Sequence, residues 1–439
     1  MSDSSITYPD KGRPSFADKM AAGRNGTSRR LWLFWALLGP GIISMLANND
    51  AGGMISYTMT GATFGINLFL PLLFLLAPVG YNFQEMSMRL AAVTQEDYRA
   101  LLLRHFRRFW SHGSVAALAL ANLLYIITEF VGMTAGLTVA GLPVWAGDIL
   151  SLMFVSVVTL LIGYWPKERL VLFVGAVNVV FVAAAILSHP DPAAIGRVFT
   201  SWPRAAWDFS SNGMLVFIMA TVGNTVAPFM LYFQNSATID KGITARDLHL
   251  GRADIALGAL LQPLFAMTVM ICGAGLVGRV ANLDSSNPGD LIAALVPVAG
   301  RLGSHLFAIG LFNAGWLAAI TISLSSAYAV AGAIGSRRSL HLRIPQAPRF
   351  YGVYFGSLLL GAIVILIPGL PLNMMAVFTQ IIAAMLLVPD LVFLVLLTGN
   401  AALMGEHVNR WWKQLAGWGI VILYTAMSAA TIAITLAGS

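Results

Sequence analysis

The chain alternates long apolar blocks with short polar breaks that carry most of its arginines. Eleven blocks run to about 20 residues or more, the length an α-helix needs to cross the hydrocarbon core of a bilayer. Their approximate limits are 31–58, 63–92, 115–142, 146–165, 169–188, 211–237, 252–278, 302–334, 350–369, 372–397 and 414–437. The pattern predicts an all-α integral membrane protein. It has one transmembrane domain over 31–439, behind a polar, disordered N-terminal segment over 1–30.

Two of these spans carry residues that a membrane helix avoids. Residues 47–54, inside span 1, read ANNDAGGM. Asparagine, aspartate and glycine are poor helix formers, and a carboxylate at bilayer depth is costly. Residues 221–230, inside span 6, read TVGNTVAPFM. Pro228 removes a backbone donor and clashes with the preceding turn, and Gly223 and Asn224 weaken that turn further. Irregular backbone at this depth survives only where it is buried in protein or lines a cavity. Spans 1 and 6 correspond if spans 1–5 (about 31–188) and 6–10 (about 211–397) are two halves, with span 11 (about 414–437) added. Five is odd, so the second half is inverted. Matching breaks in inverted repeats point to a secondary transporter with its site near the midplane. Freed carbonyls beside Asp50 make a cation site; the alternative is a kinked helix whose Asp50 is neutral or pairs with another span.

Composition agrees with a membrane protein. Hydrophobic residues make up 58% of the chain and charged residues 10%, against about a quarter charged in a soluble domain. The net charge of +7 fits basic loops, so no nucleic-acid partner is expected. Of the 26 lysines and arginines, 22 fall on the N-terminal side of the spans and 4 (Arg197, Arg204, Arg279, Arg301) on the other. The positive-inside rule then puts the N-terminus in the cytoplasm and the C-terminus outside, in a plasma or inner membrane. No short apolar leader precedes span 1, so no cleaved signal peptide is expected. The one cysteine, Cys272, excludes an intramolecular disulfide. No nucleophile–base set or multi-histidine motif lies within the spans, which argues against an enzyme.

Three stretches resemble one family. GPGIISMLANNDAGG in span 1, GNTVAPFMLYFQNSA in span 6 and TQIIAAMLLVPDLVFLVLLTGN in span 10 resemble the GPG…DPGN, GATVMPH…SA and SQV…P…LL segments of the Nramp divalent-metal transporters. The resemblance implies the LeuT-type fold: two inverted five-helix repeats with helices 1 and 6 unwound at the midplane. It also implies a metal site over Asp50, Gly53, Ala47, Asn224, Ala227 and Gln380. The expected partners are a divalent ion as cargo and the lipid bilayer; no resident cofactor is expected, and the chain is expected to work as a monomer.

Departures from the family pattern shift the expected cargo. The family's asparagine in span 1 is Gly53 here, its span-6 methionine is Ala227, its alanine one turn earlier is Asn224, and the histidine after its Met-Pro is Phe229. Loss of a thioether removes a soft ligand that favours transition metals. Gly53 and Ala227 are expected to widen the site for a partly hydrated Mg²⁺, which gives up its waters reluctantly. This pattern resembles the family's magnesium-transporting branch, with Mn²⁺ also accepted. The family's acidic pair in span 3 is reduced to Glu129, with Gly132 at the second position. Uncoupled uptake driven by the membrane potential is therefore expected. The alternatives are a proton-coupled Mn²⁺/Fe²⁺ transporter, a sodium-coupled carrier of an organic solute and a channel.

Other charged residues have plain structural readings. Glu85 and Arg89 are spaced as an ion pair. Asp148 is expected in the first turn of span 4, where a carboxylate suits the helix dipole. Asp390 reads as structural. For Glu129, lining a vestibule and bonding between helices stand side by side, as do ligand and interhelical bond for Gln380. Phe229 is a candidate gating residue.

Overall fold

The computed structural model describes residues 39–161, 173, 175–200, 212–278, 289–337 and 342–437. The N-terminal segment over 1–30, the start of span 1 and the join between spans 4 and 5 lie outside these residues. So do Lys167, Arg169, Arg204, Arg279 and Arg338.

Every regular element among the described residues is a helix. Span 1 is two helices, α1 (Pro40–Ala47) and α2 (Ala51–Phe64), and span 2 is α3 (Phe69–Thr94). A short helix α4 (Tyr98–His105) leads to span 3, α5 (Arg108–Val139), and then span 4, α6 (Val144–Leu161). Span 5 ends in α7 (Val179–Leu187), followed by α8 (Pro192–Thr200) after a bend of 104°. Span 6 is again split, into α9 (Asn212–Gly223) and α10 (Pro228–Lys241). Spans 7 to 11 are α11 (Leu248–Ala274), α12 (Val296–Ala333), α13 (Pro348–Ile365), α14 (Leu372–Thr398) and α15 (Trp411–Ala437).

Seven stretches among the described residues are long and apolar enough to cross a membrane by themselves. The exceptions have separate causes. Span 1 is divided at Asn48–Asp50. Span 2 carries Asn82, Gln84, Glu85 and Arg89 in one run. Span 4 is shorter, and much of span 5 lies outside the described residues.

Packing follows an exchange of halves. α3 and α11, spans 2 and 7, pack on each other. α11 also lies against both pieces of span 1, and α3 against both pieces of span 6. α5 and α12, spans 3 and 8, form the most extensive pair; α5 packs on α14 as α12 packs on α7. Exchanging spans 1–5 with 6–10 maps each contact onto its counterpart, as two inverted repeats require.

The two broken spans sit inside this frame. Every residue from Pro40 to Ala62 is buried. Large apolar side chains that remain exposed, such as Phe74 (span 2), Met153 (span 4), Leu360 (span 9) and Ile422 (span 11), lie on the outer helices. That distribution suits a bundle whose outer face meets lipid.

Several boundaries differ from the apolar pattern. The second helix of span 1 runs on to Phe64 and α3 starts at Phe69, some six residues past the expected limits of 58 and 63. α5 starts at Arg108, not near 115, because the helix continues through a charged and aromatic turn that is not apolar enough to register. α6 starts at Val144, so Asp148 lies beyond its first turn, with no acidic residue in that turn. The dipole reading of Asp148 is therefore corrected. The expected start of span 8 near 302 agrees with a non-helical Gly300 (φ 69°) inside α12.

Candidate metal site

Asp50 is the N-cap of α2. Its backbone is extended (φ −69°, ψ 161°) and its Oδ1 accepts the Gly53 N–H. An aspartate cap satisfies one of the free N–H groups at a helix start. The N–H of Ala51 is satisfied from another span: it donates to Glu129 Oε2 at 2.8 Å. Glu129 thus lies at the break, beside the Asp50 carboxyl. Of the two roles open to it, the geometry gives the interhelical bond. Two glycines follow Asp50 because neighbours come close. A Cβ at Gly52 would strike Thr128 of α5 and lie 3.6 Å from Gln380 Nε2.

The second break is built by Pro228, the first residue of α10, and by Gly223. Gly223 packs so tightly on the Gln380 carbonyl that any Cβ would collide with backbone. The freed carbonyls of Asn224 and Thr225 are spoken for. Asn48 Nδ2 donates to both, and Gln262 Nε2 of α11 reaches them at 3.5 and 3.3 Å. Those two oxygens tie the span-6 break to Asn48 of span 1 and Gln262 of span 7. Among the described residues no donor reaches the carbonyl of Ala47, at the end of α1.

Asp50, Gly53, Asn224, Gln380 and Glu129 come together. The space expected around Gly53 is filled: a Cβ there would meet both amide atoms of Asn224 and Asp50 Oδ1. The amide that Gly53 lacks is supplied from the opposite helix. Tyr57 also lies against Asn224, and Gln380 stands beside Asp50. Asp50, Asn49, Asn224, Gln380 and Glu129 are all 0% exposed. Yet Asp50 Oδ2, Glu129 Oε1 and both amide atoms of Asn49, Asn224 and Gln380 make no hydrogen bond of ordinary geometry among the described residues. Buried polar atoms in native proteins are nearly always bonded, so a cluster of unpartnered ones calls for a ligand. The oxygens among them are hard donors suited to a divalent cation.

Ala227 is buried, three residues after Asn224, and its side chain carries no ligand atom. A thioether is nonetheless near: Met230 Sδ accepts the Ala227 N–H at 3.3 Å. The sulfur serves as a helix cap. Phe229 is fully buried, edge-on to Tyr125 with ring centroids 5.7 Å apart, and forms a packed wall.

Remote charges are structural. Glu85, 1% exposed, binds Arg89 at 3.1 Å as expected, and also Arg252 at 3.0 Å and Lys413 at 2.8 Å. Asp390 is bonded by Ser114, and Tyr98 donates to its carbonyl. Asp254 of α11 was not singled out by the sequence. Its carboxylate accepts the N–H groups of Gly39 (3.0 Å), Gly41 (2.7 Å) and Ile42 (3.2 Å), and so anchors the start of α1. Asn49 was also missed as a site residue; its signal was the NND triplet at the break.

Comparison with known proteins fits this architecture. The profile of the family described as natural resistance-associated macrophage protein-like (Nramp) matches residues 41–434. The divalent metal cation transporter MntH of Levilactobacillus brevis is 25% identical over 434 residues, covering 92% of this chain and 91% of that protein. MntH of Klebsiella pneumoniae is 25% identical, covering 92% and 95%. The Eremococcus coleocola manganese transporter, solved with an aromatic bis-isothiourea compound, superimposes with a TM-score of 0.76 at 21% identity, over 95% of this chain and 90% of that one. MhsT bound to L-phenylalanine gives a TM-score of 0.55 at 14% identity, over 90% and 97%. These two likenesses bear on the fold alone, which is LeuT-type. With its family profile matched over nearly the whole chain, this multi-pass membrane protein belongs to the Nramp family.

Proposed function

We propose that this chain carries divalent metal cations across a membrane by alternating access, with the ion held at the paired breaks. Its preferred cargo is Mg²⁺, partly hydrated, and Mn²⁺ is also accepted. The observation that carries this reading is the set of buried, unpartnered oxygens of Asp50, Asn224, Gln380 and Asn49. Relatives named as divalent metal cation transporters support the class of cargo. The hardness of the donors supports Mg²⁺: Ala227 offers no sulfur, and the Met230 sulfur is engaged on the backbone. Uptake runs from outside to a cytoplasm that also holds the N-terminus. A divalent cation gains about 4.6 kcal/mol per 100 mV on entry, twice the value for one charge, so proton coupling is not required.

One observation favours a second reading. Glu129 beside Asp50 puts two carboxyl groups at one site, the minimum for a proton carried alongside the metal. On that reading the chain is a proton-coupled Mn²⁺/Fe²⁺ transporter.

Isothermal titration of purified protein with Mg²⁺ and with Mn²⁺ tests the site. Both ions bind the wild type and neither binds Asp50→Ala. Unchanged binding in the variant would put the ion elsewhere.

A further inference from the structure

A basic and aromatic surface lies away from the ion site, at the arginine-rich end of span 3. α4 ends at His105 and α5 begins at Arg108. Arg107 and Arg108 are exposed, and neither guanidinium has an ion pair or hydrogen bond among the described residues. Their neighbour Arg104 differs, being bonded to Glu96 at 2.5 Å. His105 is held below its usual pKa by partial burial and by Arg104. The unpaired guanidinium charge at this place, among the described residues, is that of Arg107 and Arg108.

Two rings follow directly. Phe109 is 73% exposed and Trp110 is 43% exposed. They meet edge to face at 5.3 Å, and Trp110 also leans on Phe393 of α14 at 5.4 Å, which fixes the indole at the edge of the bundle. Further along α5, exposed positions recur at Gly113, Ala116 and Leu120. That spacing follows one face of a helix. Apart from His112, which is also exposed on it, the face is apolar, and it ends in the two rings and then the two cations.

We propose that Arg107, Arg108, Phe109 and Trp110 form a seat for one anionic phospholipid. Its phosphate sits between the two guanidinium groups, its glycerol region lies against the rings, and an acyl chain runs along the Phe109–Leu120 face. Arginine matches phosphate with two parallel N–H donors, and tryptophan settles at headgroup depth. The charge complementarity selects anionic over zwitterionic headgroups. A cation near an anionic membrane surface contributes a factor of about five in affinity, so the pair contributes roughly 25- to 30-fold.

Native mass spectrometry of the full chain tests this, with phosphatidylglycerol and phosphatidylcholine of equal chain length added together. The wild type retains phosphatidylglycerol preferentially. R107Q/R108Q lowers that preference by roughly 25- to 30-fold. R107K/R108K, which keeps the charge and loses the fork, lowers it only in part. R343Q/R349Q removes two exposed charges elsewhere and leaves the preference in place. An unchanged preference in R107Q/R108Q, or an equal loss in R343Q/R349Q, overturns the proposal; the second outcome would mean that bulk charge, and not this seat, selects the lipid.

Discussion

Replacing Gly53 by asparagine puts in the residue that the family pattern carries at this position, and it should weaken ion binding in this protein. The backbone of Gly53 faces the Asn224 amide, and the first side-chain atom added there collides with that amide and with Asp50 Oδ1. Asn224 has little room to yield, because its own carbonyl is held by Asn48 and Gln262. Overpacking of this kind costs about 1–3 kcal/mol. At 1.4 kcal/mol per tenfold, that is roughly a 5- to 150-fold loss of ion affinity. The displaced atom is a carboxylate oxygen of the site itself, so the loss appears in metal binding more than in folding. The assay is a double-mutant cycle on Mg²⁺ binding with Gly53→Asn, Asn224→Ala and both together. Asn224→Ala removes one amide and empties the space. Gly53→Asn in that background puts an amide back from span 1, and binding recovers well above that of Gly53→Asn alone. Two residues in contact couple by about 0.5–3 kcal/mol, whereas independent ones add within about 0.5. If the double variant binds as the sum of the singles predicts, Asn224 does not occupy the place of the missing side chain, and the reasoning fails.

Ala227→Met supplies a sulfur beside the site and should raise Mn²⁺ binding relative to Mg²⁺; competition titration reads it, and a ratio unchanged from wild type argues that position 227 does not face the ion. Asp254→Ala frees three N–H groups at the start of α1; hydrogen bonds to a charged group are worth about 1.5–3 kcal/mol each, so the thermal midpoint should fall clearly in detergent. Glu85→Gln leaves the buried Arg89 guanidinium, 2% exposed, without its counter-charge, at a cost of about 3–5 kcal/mol. Its unfolding midpoint should drop further than that of Glu96→Gln, whose partner Arg104 is 45% exposed; equal shifts would mean that Arg89 is paired well enough by His407 and Asn409.

The sequence shows the breaks plainly because their cause is local. Asn, Asp and Gly in one turn, or a proline behind a glycine and an asparagine, disrupt a helix whatever packs around it. Inversion of the halves followed from counting spans. What closes the breaks could not be read this way. Gln262 lies some 40 residues from the carbonyls it bonds, and Asp254, which anchors the start of α1, some 210 from its partners; both roles depend on α11 lying against the two pieces of span 1. Glu129 could be placed near mid-span, but its bond to Ala51 requires the rotation of α5 about its axis. The same limit hid the contact between Gly53 and Asn224. A glycine in place of a larger residue reads as open space until the neighbour that fills it is known. Span 3 was set too short for a different reason: hydropathy marks the hydrocarbon core, while the helix runs on through Arg108, Phe109 and Trp110.

Uptake into proteoliposomes tests the central claim most directly. One set holds a Mg²⁺-sensitive dye, a parallel set holds a pH dye, and both are given a negative-inside potential. The account predicts Mg²⁺ entry that grows with the potential, no acidification of the lumen, and loss of entry in Asp50→Ala. Mn²⁺ entry with acidification and no Mg²⁺ entry would contradict it, and would mean that Asp50 and Glu129 carry a proton with a transition metal.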